Sequence, residues 1–234
     1  MSFDSPEFWL ALGQIIWINI ILSGDNAVVI ALAARTLPPK QQKMAIAWGS
    51  GAAVILRILL TFVAAYLLKL PYLQIIGGLL LLWIGFQLLA GEGDEGEGGE
   101  VKQSSGNLMS AVRTILIADL VMSLDNVIAV ALAAKGDFTL LVLGLAISIP
   151  LVVFGSTLMI KLMERFPVII TLGAALIGWV AGDAISHDVA LKDVFEGNTV
   201  LSYSLKAGCA IFVVVVGKWL AARASAKGHA THSA

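Results

Sequence analysis

Seven stretches of the chain, roughly 8–34, 44–68, 71–90, 108–134, 138–160, 167–185 and 205–222, are long, apolar and nearly free of charge. A hydrocarbon core of about 30 Å is crossed by about 20 mostly apolar residues at 1.5 Å rise per residue. Inside it the backbone must satisfy its own hydrogen bonds, which leaves helices or closed barrels. Apolar runs of this length predict an all-α, polytopic membrane protein with seven transmembrane helices. Composition removes the alternatives, since 59% of residues are hydrophobic and 13% charged, against about 25% charged in a soluble domain. High hydrophobicity with a net charge of −1 excludes disorder, and the missing basic excess excludes nucleic acid as a partner. Membrane lipid is the expected surrounding.

The breaks between spans are chemically sensible. Pro38–Pro39 closes the first span, Pro71 and Pro167 open new helices where a missing N–H costs little, and the run GEGDEGEGGE at 91–100 cannot stay in lipid. Asp4 and Glu7 precede the first span without a basic residue, unlike a cleavable signal peptide, so that span is expected to remain. With seven spans, one side holds ten basic residues: Arg35, Lys40, Lys43, Lys102, Arg113, Lys161, Arg165, Lys218, Arg223 and Lys227. The other side holds Lys69, Lys135, Lys192 and Lys206, while Arg57 lies within a span. The positive-inside rule then predicts a multi-pass protein of the cell (plasma or inner) membrane, N-terminus outside and C-terminus cytosolic.

Self-similarity is the most informative internal feature. Residues 23–34 read SGDNAVVIALAA and 123–134 read SLDNVIAVALAA, identical at seven of twelve positions. Pro71, Gly77, Leu80 and Trp83 recur as Pro167, Gly173, Leu176 and Trp179, and the two registers pair Asn19 with Asp119 and Gln87 with Asp183. Three spans per copy force the second copy to enter the membrane from the opposite side. Two inverted three-helix repeats, 1–90 and 108–185, are therefore expected, joined by an acidic cytosolic linker at 91–107. An extracytoplasmic loop at 186–204 and a seventh helix with its tail at 205–234 follow, the helix packing at the edge. Inverted repeats are the usual build of secondary transporters, with the site near the midplane.

Asp25, Asp119, Asp125 and Asp183 fall within spans against one opposite charge, Arg57. Each charge at the bilayer centre costs about 2.5–3.5 kcal/mol even on the lenient insertion scale, and such residues are functional by default. Arg57 can neutralise one carboxylate, and the remainder suit protons or a divalent cation. Ser23, Asp25 and Asn26, and again Ser123, Asp125 and Asn126, offer hydroxyl, carboxylate and amide oxygens, the ligands of Mg, Ca and Mn. Adjacent Asp and Asn reach one ion only where the helix breaks. Gly24 permits a break and Leu124 permits it less readily. Asp119 and Asp125, about 120° apart and about 9 Å in rise, cannot share an ion on a straight helix. Either the helix breaks between them or Asp119 belongs to a proton or ion path beside the site, while Asp183 lies near a span end and Met122 reads as a packing residue.

Other signals are weaker. The acidic run lacks EF-hand spacing and reads as a solvated linker. His187–Asp188 and the pair His229 and His232 lack partners at ligand spacing and read as solvated. Pro150 should kink its helix, Gly178 and Gly182 form a small-residue face for close packing, and the lone Cys209 can form no intramolecular disulfide.

The doubled S-x-D-N with its ALAA continuation, three spans apart in two similar halves, resembles the TerC family of integral membrane proteins and, more distantly, the LysE transporter superfamily. The likeness covers roughly 8–222. It implies Mn2+ efflux from the cytosol, linked in some members to metal loading of exported enzymes. It also implies that Asp25, Asn26, Asp125 and Asn126, with Asp119 and Asp183 as acidic companions, form the metal site. The expectation is thus a secondary transporter, not an enzyme. Its cargo is Mn2+, with Ca2+ or Mg2+ fitting the same oxygens, and proton exchange is a natural driving force. A membrane scaffold for metal loading or tellurite and stress resistance is the alternative. An intramembrane aspartyl protease fits less well, because VAGD stands where GxGD is usual.

Overall fold

A computed structural model describes residues 5–90 and 107–231, with side chains described through residue 223. The acidic run 91–100, Lys102, the side chains of Lys227 and His229, and His232 lie outside the described residues. Helices make up the described chain: α1 (Pro6–Leu22), α2 (Gly24–Ala34), α3 (Pro39–Leu67), α4 (Leu73–Ala90), α5 (Leu108–Ala133), α6 (Phe138–Arg165) and α7 (Val168–Ser186). A 3-10 turn (Val189–Leu191), a short α8 (Lys192–Phe195) and a long α9 (Thr199–Thr231) follow. Among the described residues, six helices are long and apolar enough to cross a membrane, or seven if α1 and α2 are one span bent by 51° at Ser23.

Local chemistry sets most boundaries. Ser5, Asn107 and Asp137 cap α1, α5 and α6 by accepting backbone N–H groups. Pro39 sits in the first turn of α3, where the lost N–H is one of the free ones. Asn107, placed in the linker by the sequence, is instead the first residue of α5's cap. The expected break at Gly24 is present, and α5 runs unbroken through Leu124, as the bulkier residue favours. Helix α6 continues through Pro150. The seventh helix begins at Thr199, ahead of the expected 205, because Asn198 supplies a side-chain acceptor to Leu201 N–H at 3.1 Å.

The packing is reciprocal. Helices α1 and α2 lie on α6, α5 lies on α3, α4 lies on α7, and α9 covers α7 and α4. Close approaches occur at matched glycines. Gly49 of α3 receives the side chain of Ile115, while Gly144 of α6 receives that of Ile15, and both isoleucines are fully buried. Gly77 of α4 faces Val121, while Gly173 of α7 faces Val28 and Leu32. A methyl at Gly178 or Gly182 would strike the backbone of α9 at Cys209–Ala210 or Lys206, so the expected small-residue face is the α7–α9 contact. Large apolar side chains such as Trp17, Trp48, Phe62, Trp83 and Phe154 stand outward, whereas Asn19, Ser23, Asn26, Arg57, Asp119, Ser123 and Ser148 are buried. A surface this apolar around a polar interior suits lipid contact.

Candidate cation site

The polar interior is one connected network at the α1–α2 break. Ending α1 at Leu22 and restarting at Gly24 turns Ser23 and Asn26 inward, next to Asn19 on the last turns of α1. Arg57 enters from α3. Its Nη1 donates to Asn19 Oδ1 at 2.6 Å and Ser23 Oγ at 3.3 Å, its Nε to Ser123 Oγ at 3.1 Å, and its Nη2 to Asp119 Oδ1 at 2.7 Å. Asn19 also donates to Ser148 Oγ on α6, whose hydroxyl donates to Leu145 O at 2.6 Å. Asn26 Nδ2 donates to Asp119 Oδ1 at 3.2 Å. Both members of the Arg57–Asp119 pair are 6% exposed at the side chain, and such desolvated, bidentate-capable partners are the strong form of ion pair.

A cavity of about 20 Å3 lies against this network, lined by Ser23, Asn26, Ser50, Arg57, Asp119 and Ser148 on its polar side and by Ile30, Ala53, Val54, Ile149 and Val152 elsewhere. Three of the lining residues carry buried oxygens without a partner: Asn26 Oδ1, Ser50 Oγ and Asp119 Oδ2. Buried polar atoms are nearly always paired, and about 10–15 Å3 of such space already holds a water-sized guest. Carboxylate, amide carbonyl and hydroxyl oxygens together favour a hard cation.

The six residues expected to share one metal site do not all meet. Asn26 and Asp119 meet at the cavity. Asp25 stands beside them, half-buried, its Oδ1 accepting Asn26 N–H at 2.8 Å, close enough for the charges of Arg57 and Asp119 to act on it. Asp125 points elsewhere, because straight α5 turns it away from Asp119, and it accepts Gln74 Nε2 of α4 at 2.9 Å. Asn126 Nδ2 donates to Leu22 O at 3.3 Å and Met122 O at 3.0 Å, covering the carbonyl that the break releases. Asp183 is 37% exposed and pairs with Lys206 of α9, with His187 Nδ1 at 3.6 Å. Among the described residues no three His, Cys, Asp or Glu side chains are grouped to hold a metal. Met122 is buried in the core as expected.

His187 is exposed, as read from the sequence, but Asp188 is not solvated. Its Oδ1 accepts Tyr72 N–H at 2.9 Å and Ala190 N–H at 2.8 Å, and its Oδ2 accepts Gln74 N–H at 3.0 Å and Ile75 N–H at 3.1 Å. It therefore caps α4 from more than a hundred residues away. Burial alone would raise its pKa, but these four N–H donors hold the carboxyl below the ordinary carboxylate range. Sequence reasoning also missed Ser50, Ser148 and Gln74. A lone hydroxyl in an apolar helix carries little signal, since serine satisfies itself on its own helix.

Comparison with known proteins agrees on one family. The profile described as integral membrane protein TerC family matches residues 4–225. The chain is 46% identical over 186 residues to the membrane protein YjbE of Bacillus subtilis (strain 168), covering 80% of this chain and 84% of YjbE. It is 28% identical over 182 residues to the membrane protein YceF of the same organism, covering 75% and 70%. The inner membrane protein YgdQ of Escherichia coli (strain K12) is 25% identical over 177 residues, covering 69% and 74%. No solved structure matches the chain.

Proposed function

The chain belongs to the TerC family of integral membrane proteins, and from that premise we propose that it is a secondary transporter exporting a divalent cation, Mn2+ foremost, from the cytosol. The observation that carries this reading is the buried cavity with three unpartnered oxygens from Asn26, Ser50 and Asp119. Carboxylate, amide carbonyl and hydroxyl oxygens without a partner are the donor types that a hard cation takes. Asp25, next to Asn26 at the helix break, supplies a further negative charge beside the site.

The reciprocal contacts support two inverted repeats. Gly49 with Ile115 and Gly144 with Ile15 are what a two-fold axis in the membrane plane would generate from repeats offset by about a hundred residues. With the N-terminus outside, as proposed, Gln74–Asp125 and Asp183–Lys206 fall on the extracytoplasmic side of Asp119. When the metal leaves, Asp25 is the carboxylate by the site that Arg57 does not pair, so it is the one to take up a proton, and proton return is the proposed counter-flux.

The test is Mn2+ uptake into liposomes holding the purified protein and a pH dye. Saturable uptake with proton movement in the opposite sense is expected, at least about tenfold reduced in Asp119→Asn, as for loss of a charge-assisted contact. Absence of Mn2+, Ca2+ and Mg2+ flux from folded protein sinks the reading.

A further inference from the structure

Arg57 is buried in the same cavity as the unpartnered oxygens, and its four hydrogen bonds tie α1, α2's cap and α5 together. Its hold on Asp119 is partial. Guanidinium Nη2 and Asn26 Nδ2 both donate to Oδ1, leaving Oδ2 buried and unpartnered on the cavity. The carboxylate is thus half-committed to a cation that the chain carries itself. Asp25 and Asp119 with Arg57 leave one net negative charge. A divalent cation on Oδ2 would stand next to the guanidinium on the same carboxylate, two positive centres against one negative. Uncompensated charge in a low-dielectric interior is expensive, so the two cations exclude each other.

We propose that Arg57 is a tethered substitute for the transported cation: it neutralises Asp119 when the site is empty and must withdraw from Asp119 when a divalent ion binds. This rests on the cation-transport reading above and adds to it the group that competes with the cargo. Arg57 is a positioning residue that sets affinity through Asp119. Arginine suits the role because it keeps its charge, so Asp119 keeps a partner in the empty site. Withdrawal is open to it because its other donors already have Asn19, Ser23 and Ser123 as acceptors.

The test is Mn2+ binding to purified wild-type, Arg57→Gln and Asp119→Asn protein by titration calorimetry, independent of transport. Arg57→Gln is expected to bind Mn2+ about tenfold or more tightly than wild type, as for removal of a close competing charge. In Arg57→Ala, which leaves room for a free cation, millimolar guanidinium chloride is expected to weaken Mn2+ binding more than equimolar sodium chloride does. Equal or weaker Mn2+ binding by Arg57→Gln, with wild type binding and Asp119→Asn not, overturns the competition while leaving the transport reading intact. No binding of Mn2+, Ca2+ or Mg2+ by wild type overturns both. If Arg57→Gln does not fold, Arg57→Lys decides: it keeps the charge but cannot fork across Asn19, Ser123 and Asp119, so several-fold tighter Mn2+ binding is expected, and equal or weaker binding overturns the proposal.

Discussion

Asp119 and Arg57 do not depend on each other equally. A carboxyl left alone in apolar surroundings can take up a proton, whereas a guanidinium keeps its charge. Asp119→Ala is therefore expected to destabilise the protein by about 3–5 kcal/mol, the range for breaking a buried pair. Arg57→Gln is expected to cost less, and the double variant less than the sum. Thermal unfolding in detergent with a double-mutant cycle measures this, and equal single costs would contradict it. Residue by residue, the sequence announced what was chemically out of place: four acids and one arginine in apolar runs, of which Asp119, Arg57, Asp25 and their neighbour Asn26 do converge. It could not announce Ser50 or Ser148, which are unremarkable letters until a cavity forms beside them. It did set Asp125 apart from Asp119 on a straight helix, yet it grouped Asp125 with Asp25, since identical S-x-D-N letters face different neighbours once one copy breaks and the other stays straight.

At the level of elements, the spans were legible because lipid demands length and hydrophobicity in a continuous run, and the break at Gly24 because its counterpart is leucine. What escaped was the start of α4. Proline at 71 suggests a helix beginning there, yet α4 begins at Leu73 after Tyr72 adopts a φ of 69°, a conformation that costs a non-glycine residue on the order of 1–3 kcal/mol. Asp188 offsets that strain by holding Tyr72 N–H together with the free N–H groups of Gln74 and Ile75. Asp188→Ala is expected to destabilise by about 1–3 kcal/mol, as for stranded buried donors. Because the folded-state pKa of Asp188 is depressed, its contribution is complete above the unfolded value of about 3.9 and is lost as pH falls through the lower folded value. The gap in melting temperature between wild type and Asp188→Ala should then be constant near neutrality and narrow only below about pH 4. A gap that closes at pH 6 would contradict the assignment.

For the whole molecule, the contacts between halves matter more than those within them. Ile15 and Ile115 occupy equivalent positions and each fills a glycine notch in the other half. Gly49→Ala and Gly144→Ala each insert a methyl into an isoleucine and are expected to destabilise by similar amounts, about 1–3 kcal/mol for overpacking. Markedly unequal losses would mean the halves are packed by different rules.

The break at Ser23 has an electrical side as well. By length, α1 runs about 25 Å and α2 about 16 Å, so their junction falls inside a 30 Å core. A helix that stops there presents about half a negative elementary charge at its last carbonyls, and one that starts there presents about half a positive charge at its first amides. Asp25 answers the positive end through Asn26 N–H, and Asn126 sits on the negative end at Leu22 O. The bent helix pair thereby sets a dipole gap within the apolar body, and swinging the Asn126 amide aside would uncover the Leu22 carbonyl oxygen.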